Sequence, residues 1–463
     1  TIIRHHLGRI VLRSQRQRGY AVRISRASLI LSDFFSSGLG GRHDRTNYST
    51  VPQMLAVSSN VRNGYDLVGK LRRIRDLAYR AIRLFLRTIY LSTVATPLLV
   101  ALPIVYLNEG LYKEWLEWCL FGVEMSGAAI VKLFQWASSR PDMFGSEFCN
   151  LFKKLQDETR PHSFHHTEKI MEEAFGDGWR EIVNISEKSS ILGSGCIGQV
   201  YKGRMKETGA TVAVKVLHPN VRNGIEADVD ILRFCARVID RVVPNAKWLN
   251  CPGMVEEFNG LLSEQLDLRV EANNLEQFRV NFKGDETVTF PELMMSAKAN
   301  VMVMEFIDGD NLKDFLAKHV DKVDVKNRVC DNGIRVICKM IFDHNFVHGD
   351  IHPGNILFTK EESGVEPRMV LLDTGIAKRF TKHDHEILVG VLTSFINGSG
   401  AKAAEFLIKD SLESQDTPPV GVEGFTNVLD EMCEQAKRDH SFFDSIGNYV
   451  STICNAAAEH KIM

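Results

Sequence analysis

Three side chains in the second half of the sequence have the spacing that phosphoryl transfer requires. Residues 346–358 read FVHGDIHPGNILF, which places Asn355 five positions after Asp350, and residues 370–375 read VLLDTG, which contains Asp373. An Asp–x4–Asn loop followed by an apolar strand that ends in Asp-x-Gly is typical of a kinase catalytic loop and metal loop. Asp350 would orient or deprotonate an acceptor, and Asn355 and Asp373 carry the oxygen ligands that Mg²⁺ prefers.

A glycine-rich segment upstream predicts a phosphate-binding loop. Residues 191–203 read ILGSGCIGQVYKG. A dinucleotide-binding unit would open a helix at its third glycine, whereas this chain continues as a strand and a turn, which favours the strand–loop–strand pattern of kinases. The predicted phosphate-binding residues are Gly193, Ser194, Gly195, Cys196, Ile197, Gly198 and Val200.

Two further strands complete a predicted ATP site. Lys215 ends the motif VAVK, 17 residues after Gly198, so a returning strand would bring it to the α- and β-phosphates. Residues 301–309 read VMVMEFIDG, an apolar strand that runs into a hinge-like turn. There the backbone groups of Glu305 and Ile307 would meet the adenine edge.

The N-terminal residues have the composition of a targeting sequence followed by a membrane-spanning segment. Residues 1–32 contain arginine and serine but neither lysine nor acid, as mitochondrial transit peptides do. A basic linker at 33–87 leads into residues 88–107, a charge-free run of 20 residues, which is long enough to cross a bilayer. The positive-inside rule would place the arginines in the matrix and the rest of the chain across the membrane. A basic tail that binds lipid or nucleic acid, and a buried apolar helix, are the alternatives.

Composition excludes several classes of protein. The chain has 463 residues, 44% hydrophobic and 25% charged, and a net charge of −2, which argues for a folded protein and against nucleic-acid binding. Its nine cysteines include no Cys-x-x-Cys pair, so neither a disulfide framework nor a zinc ribbon is expected. His162, His165 and His166 lie in a polar stretch, where we expect a solvated loop rather than a metal site.

These motifs together resemble the UbiB/AarF-domain family of atypical kinases, which is associated with ubiquinone biosynthesis and mitochondrial lipid metabolism. The resemblance runs from about residue 122 to residue 378, and the segment HGDIHPGN at 348–355 is its most specific part. It implies a bilobal, protein-kinase-like α+β fold, with ATP and Mg²⁺ as cofactors. It also implies a mitochondrial, inner-membrane, single-pass protein whose partners are the membrane, a lipid or quinone-precursor ligand and enzymes of ubiquinone biosynthesis.

The same resemblance assigns four further residues. Glu271, in the segment DLRVEANN, would pair with Lys215, and Lys132 and Gln135, with Asp267, would form a gating motif over the acceptor side of the cleft. Phe134 stands where the family usually has glycine, and Gln265 stands where it usually has glutamate. Residues 254–282 have an apolar stripe at helical spacing, which predicts one long helix that carries Glu271.

The predicted organisation is a helical extension at 108–185, an N-lobe at 186–310 and a C-lobe at 311–463. No Ala-Pro-Glu motif follows Asp373, so we expect a small acceptor rather than a protein. Two alternatives remain open at this point. One is an ATP-binding scaffold with slow turnover, and the other is a small-molecule kinase of the aminoglycoside or choline kinase type.

Overall fold

The computed structural model describes residues 59–138, 145–156, 161–186, 191–242, 251–360, 366–414 and 421–439, with short pieces at 452–453, 456–457 and 459–460. The predicted transit peptide at 1–32 lies outside these residues, as does the first part of the predicted linker.

Helices form the N-terminal extension, the back of the N-lobe and most of the C-lobe. In chain order they are α1 Ser59–Leu107, α2 Tyr112–Ser126, α3 Ala128–Ser138, α4 Ser146–Phe152, α5 Phe164–Phe175, α6 Trp179–Ile182, α7 Val221–Val242, α8 Cys251–Gln265, α9 Leu268–Asn281, α10 Leu312–Lys318, α11 Val323–Cys338, α12 Lys382–Ile396, α13 Gly400–Ser414 and α14 Val422–Asp439. Short 3₁₀ turns lie at Glu109–Leu111, Lys153–Gln156 and Pro353–Asn355, and a π-turn lies at Lys339–Asp343.

The strands form three sheets, two of which flank the cleft between the lobes. In chain order they are β1 Val183–Asn184, β2 Ile191–Ser194, β3 Gly198–Met205, β4 Thr211–Leu217, β5 Val288–Thr289, β6 Val301–Glu305, β7 Gly309–Asn311, β8 Val347–His348, β9 Ile356–Thr359, β10 Met369–Leu371 and β11 Ala377–Lys378. The first sheet has the order β1-β3-β4-β6 with β2 also on β3, the second has the order β5-β10-β9-β7, and β8 pairs with β11.

The strand–loop–strand prediction for the glycine-rich segment is confirmed. Strands β2 and β3 pair antiparallel around the loop, and β3 pairs with β4 so that Val200 lies opposite Lys215. Gly198 is required where β3 begins, because a Cβ there would lie 2.9 Å from the carbonyl oxygen of Val216. The sheet starts with β1 at Val183, slightly before the predicted N-lobe boundary at 186.

The single long helix predicted at 254–282 is wrong, because the structure breaks it between α8 and α9. Asp267 has extended backbone angles and its carboxylate accepts the backbone N–H of Arg269. An Asp in this position is an N-cap, which satisfies a free N–H at the start of a helix and so favours a new start there. The apolar stripe runs through both α8 and α9, so the spacing of apolar residues did not indicate the break at Asp267.

The apolar helix α1 lies along the extension rather than standing apart from it. Val94 and Leu98 lie against Gly122 of α2, and the Trp115 indole donates to the carbonyl of Leu98 at 3.0 Å. Residues 74–107 meet the length and hydropathy criteria for a membrane span, and 6% of their most apolar window is buried. Because α2 follows α1 after one short turn and packs beside it, the chain returns toward the kinase-like region.

Arginines of α1 bind acidic residues of α7 in the N-lobe. The pairs are Arg80–Asp230, Arg83–Glu226 and Arg87–Asp228. The Asp228 side chain is buried and receives Arg87 Nε at 2.6 Å and Nη2 at 2.8 Å. The predicted arrangement with the arginines and the kinase-like region on opposite sides of a membrane is therefore wrong, since these residues are in contact.

Candidate active site

Lys215 occupies the centre of the cleft and joins the two lobes. Its Nζ lies 2.7 and 2.8 Å from the carboxylate oxygens of Glu271 on α9 and 2.9 Å from Oδ2 of Asp373. The antiparallel pairing of β4 with β3 and β6 fixes the direction of the Lys215 side chain. The expected pairing of Lys215 with Glu271 is thus present, and Asp373 completes a three-member ionic cluster.

Burial and mutual charge set the protonation of this cluster. Burial by itself would lower the pKa of Lys215, but Asp373 and Glu271 raise it above its ordinary value, so the ammonium form is retained. The pKa of Asp373 is held well below its usual range by Lys215 and by the Gly375 N–H, against the effect of burial. Burial and the Asp373 charge raise the pKa of Glu271 to about 7. Asp373 is therefore the carboxylate that stays ionised.

The catalytic loop is closed by hydrogen bonds between its own residues. Asn355 Nδ2 donates to the carbonyl of Asp350 at 3.1 Å, and the Asp350 N–H donates to His348 Nδ1 at 3.1 Å. Burial lowers the pKa of His348, which keeps the ring neutral and preserves Nδ1 as an acceptor. With its amide nitrogen used as a donor, Asn355 has its amide oxygen left for a metal ion.

Strand pairing brings the two metal-binding candidates together. Strands β9 and β10 are antiparallel, and the Leu372 N–H donates to the carbonyl of Asn355 at 3.0 Å. Asp373 follows directly, with Oδ1 accepting the Gly375 N–H at 2.9 Å. Among the described residues no group of three or more His, Cys, Asp or Glu forms a metal site. An Asp–Asn pair nevertheless fits Mg²⁺, which usually takes one or two protein ligands and completes its shell with phosphate and water.

Of the two adenine contacts predicted in the hinge, the one at Glu305 is limited to its backbone carbonyl. The Glu305 N–H donates to the carbonyl of Glu292 at 2.7 Å, so Glu305 can offer a base only its carbonyl oxygen. Ile307 lies just beyond β6 and is half-buried. The candidate phosphate loop lies at the opposite end of the same sheet, as an ATP site between two lobes requires.

The extension places Lys132 directly against the catalytic loop. Lys132 is carried by α3, and its Nζ lies 3.6 Å from Oδ2 of Asp350. Burial would lower the pKa of Lys132, but Cys196, Asp350 and Asp373 raise it above its ordinary value. The charge of Lys132 is therefore retained, and the cleft contains two ammonium groups beside the carboxylates of Glu271, Asp350 and Asp373.

The other two predicted gating residues lie elsewhere. Gln135 donates from Nε2 to the carbonyl of Leu155 at 2.6 Å and so holds the extension together. Asp267 caps α9 and pairs with Arg269, as described above. Phe134, in place of the family's glycine, packs against the rings of Phe148 and Phe152, with centroids at 6.1 and 5.1 Å. Of the three gating candidates, Lys132 alone contacts a catalytic-loop residue.

Sequence reasoning missed a connection between the metal loop and α9. The Thr374 hydroxyl donates to the carbonyl of Glu271 at 3.1 Å, and the Asn274 amide donates to the carbonyl of Thr374 at 3.0 Å. These bonds fix Asp373 and Glu271 in one frame. Thr374 occupies the middle of the Asp-x-Gly motif and Asn274 ends the segment DLRVEANN, so both lie in recognisable motifs although neither was assigned a role from the sequence.

A known protein family matches the part of the chain that contains the Lys215 cluster. Residues 154–407, more than half of the chain, match the ABC1 atypical kinase-like domain. A mitochondrial ABC1 family protein of Schizosaccharomyces pombe is 25% identical over 86% of this chain and 67% of its own length. A mitochondrial ABC1 family protein of Saccharomyces cerevisiae is 33% identical over 59% of this chain and 46% of its own length.

Bacterial proteins are similar over the same region. The protein named "Probable protein kinase UbiB" of Vibrio atlanticus is 29% identical over 73% of this chain and 61% of its own length. The chain thus spans from under half to about two thirds of the length of these relatives. Since the matched domain contains the Lys215 cluster, the catalytic loop and the metal loop, the chain belongs to the ABC1 atypical kinase-like family, which includes the UbiB and AarF proteins.

Proposed function

We propose that the chain is an ATP-dependent phosphotransferase of the UbiB type, with Mg²⁺ as its metal. The observation that carries this proposal is the contact of Lys215 with both Glu271 and Asp373, next to a catalytic loop that contains Asp350 and Asn355. The Asp373 carboxylate is held in its charged form, so a cation is favoured beside it, and this cation would accompany the phosphates of ATP.

Each residue has a separate role in this chemistry. Lys215, extended by Glu271, would bind the α- and β-phosphates, and the backbone of 193–198 would cover them. Asn355 and Asp373 would hold Mg²⁺, which neutralises charge that develops on the transferred phosphoryl group. Asp350 would accept the proton of the acceptor hydroxyl, since its side chain is about one third exposed and lies 3.6 Å from Nζ of Lys132.

The acceptor is proposed to be a small molecule, either lipid-related or a quinone precursor. Lys132 reaches Asp350 from the extension, so an acceptor would enter the cleft beside α3. This position of α3 disfavours a long peptide that binds across the C-lobe. A role in ubiquinone biosynthesis or mitochondrial lipid metabolism, with enzymes of that pathway as partners, is proposed from the family. The mitochondrial location is supported by the yeast relatives that are named mitochondrial.

The function is tested by measuring ATP affinity and ATP hydrolysis of the full chain, with and without Mg²⁺ and with quinone-precursor phenols or phospholipid vesicles. We expect Mg²⁺-dependent binding of ATP and slow ATP hydrolysis. A correct acceptor should raise the rate of ADP formation, because it takes the phosphoryl group in place of water. Tight binding with no turnover under every condition would favour the ATP-binding scaffold. A kinase of the aminoglycoside or choline type is disfavoured, because α3 of the extension enters the catalytic cleft.

We also propose that α1 meets the inner mitochondrial membrane through its outward face. Leu99, Val100, Ile104 and Leu107 on this face are all at least 59% exposed, and Trp118 of the neighbouring α2 is 64% exposed. An apolar face of this size with an aromatic residue at its edge is typical of a helix that lies in the membrane interface. Because α2 packs beside α1, the region would contact lipid from the side on which the kinase-like domain lies.

This arrangement predicts the accessibility of the basic half of α1, which precedes residue 88. In sealed proteoliposomes with the kinase-like domain outside, a cysteine from Ala78→Cys, at an exposed position of α1, should react with an impermeant maleimide added outside, with native thiols replaced beforehand. The predicted single-pass span would instead protect this cysteine until the vesicles are opened. Leu99→Glu should reduce vesicle binding about tenfold or more, while Val238→Glu, an exposed change on α7, should leave it unchanged.

A further inference from the structure

Two histidines form a hydrogen-bonded pair next to the candidate phosphate loop. His162 Nδ1 lies 2.7 Å from His218 Nδ1, and His218 Nε2 lies 2.7 Å from the carbonyl oxygen of Gly195. On its other side, His162 Nε2 lies 2.8 Å from the Thr167 hydroxyl, which lies 2.7 Å from the Tyr201 hydroxyl. His162 is therefore half-buried and bonded, not in the solvated loop predicted from its polar neighbours, and His165 and His166 lie on α5.

The carbonyl of Gly195 helps to decide which atom donates in each hydrogen bond of this series. Burial lowers the pKa of His218, which keeps this ring neutral. Because the carbonyl of Gly195 can only accept, the single ring proton of His218 is on Nε2, and its Nδ1 is an acceptor. His162 must then donate from Nδ1, and its Nε2 accepts from Thr167. Both rings are neutral, and His162 is the Nδ1–H tautomer.

This series of hydrogen bonds ends on a peptide group of the phosphate loop. The carbonyl of Gly195 belongs to the Gly195–Cys196 peptide, and in a trans peptide the C=O and the N–H point in opposite directions. Holding the carbonyl toward His218 therefore turns the Cys196 N–H away from the histidines. The Gly195 N–H is already used, because it donates to the carbonyl of Gly198 at 2.9 Å.

A second bond joins the same segment to the loop. The backbone N–H of His162 donates to the Gln199 side-chain oxygen at 2.9 Å, and Gln199 is fully buried at the start of β3. His162 thus contacts the loop region twice, once through Gln199 and once through His218. We propose that His218 and His162 are positioning residues that hold the Gly195–Cys196 peptide in the orientation that binds the nucleotide phosphates. This rests on the proposed ATP site.

Protonation of both rings would break this series, because a single charged ring can still donate from Nδ1 to its neutral partner, whereas two charged rings would face each other as Nδ1–H donors. Burial and the neighbouring His218 and His166 lower the pKa of His162 to about 4, and burial lowers the pKa of His218 against the Gly195 hydrogen bond. The titratable groups that face the pair are His166 and, beyond Thr167, Tyr201. Both depressed pKa values mean that the neutral pair contributes stability above about pH 6.5, and this contribution is lost as pH falls toward 4.

The test compares three variants of the full chain. His218→Ala should raise the KM for ATP about tenfold with a smaller change in kcat, since one hydrogen bond of ordinary strength is lost. His218→Gln keeps a donor near Nε2 and should restore KM to within about threefold of the original protein. His385→Ala is the matched control, because His385 is a half-buried histidine that bonds the carbonyl of Ile341 at 2.7 Å, far from the loop, and it should leave KM unchanged.

The rescue by His218→Gln and the His385→Ala control separate positioning from general loss of stability. An unchanged KM in His218→Ala, or equal effects of His218→Ala and His385→Ala, would overturn the proposal.

The bond directions can be measured without nucleotide. In protein labelled with ¹⁵N-histidine, the ring-nitrogen shifts should identify His162 as the Nδ1–H tautomer and His218 as the Nε2–H tautomer at pH 7.5. Assignment to the opposite tautomers, or a charged ring at this pH, would refute this series of hydrogen bonds even if the protein bound no ATP. Failure of ATP binding with the expected tautomers would instead refute the proposed function and, with it, the positioning role.

Discussion

Replacement of Asp373 by Asn should abolish Mg²⁺-dependent binding of ATP. Asp373 is an ionised carboxylate of the cleft, and its pKa lies well below the usual range because Lys215 and the Gly375 N–H stabilise the charged form. The neutral amide has nearly the same shape but offers the metal a much weaker ligand. Loss of an outer-shell partner alone costs about 10- to 100-fold in metal affinity, so the loss of a ligand should weaken Mg²⁺–ATP binding by about 100-fold or more.

Isothermal titration of the variant with ATP, at saturating Mg²⁺ and in EDTA, measures this effect. The control is Asp285→Asn between α9 and β5, where a buried carboxylate binds Lys339 and Arg335 of the C-lobe and has no part in the cleft. That control should lower thermal stability but keep the difference between Mg²⁺ and EDTA. Asp373→Asn with unchanged affinity in Mg²⁺ would remove Asp373 from the metal site.

Replacement of Lys215 by Met should remove nucleotide binding and also destabilise the fold. The side chain of Lys215 is 13% exposed and that of Glu271 is 4% exposed, so the change leaves a buried carboxylate without its cation. Breaking a buried ion pair in this way costs about 3–5 kcal/mol. We expect a lower Tm in thermal denaturation and no measurable ATP binding in the folded protein below that temperature.

A second substitution separates the two effects of Lys215→Met. In Lys215→Met/Glu271→Gln the orphaned charge is removed, so much of the lost stability should return, while ATP binding stays absent because the phosphates still lack their lysine. Recovery of ATP binding in the double variant would show that Lys215 acts on structure alone. A Tm equal to that of the single variant would argue against coupling between Lys215 and Glu271.

The catalytic elements were predictable because each has a short local pattern. The spacing of Asp350, Asn355 and Asp373 depends on one loop and one pair of adjacent strands, β9 and β10, which are antiparallel in the structure. The glycine-rich segment was also separable from a dinucleotide-binding loop, since the residues after Gly198 favour a strand. A likeness to the family supplied Glu271, whose contact with Lys215 joins positions 56 residues apart.

Contacts between distant segments were not predictable from residue patterns. Nothing local to Arg87 and Asp228, 141 residues apart, indicates that they pair, and the arginines before residue 88 were therefore placed on the matrix side of a membrane. The histidine pair has the same character, because His162 reads as polar and exposed until His218 is brought beside it. Asp267 differs, since it is a good N-cap residue whose position within a continuous apolar stripe concealed its role.

The most direct test of the account is the rate of Mg²⁺-dependent ATP turnover by the full chain beside that of Asp350→Asn, with Asp324→Asn, an exposed change on α11, as control. Asp350 lies in the cleft within reach of an acceptor, and general-base catalysis contributes about 10²- to 10⁴-fold. We predict measurable turnover in the original protein and the control, and a loss of at least about 100-fold in Asp350→Asn with ATP affinity nearly unchanged. Turnover that is equal in all three proteins would contradict the assignment of Asp350 and, with it, the proposed phosphotransferase.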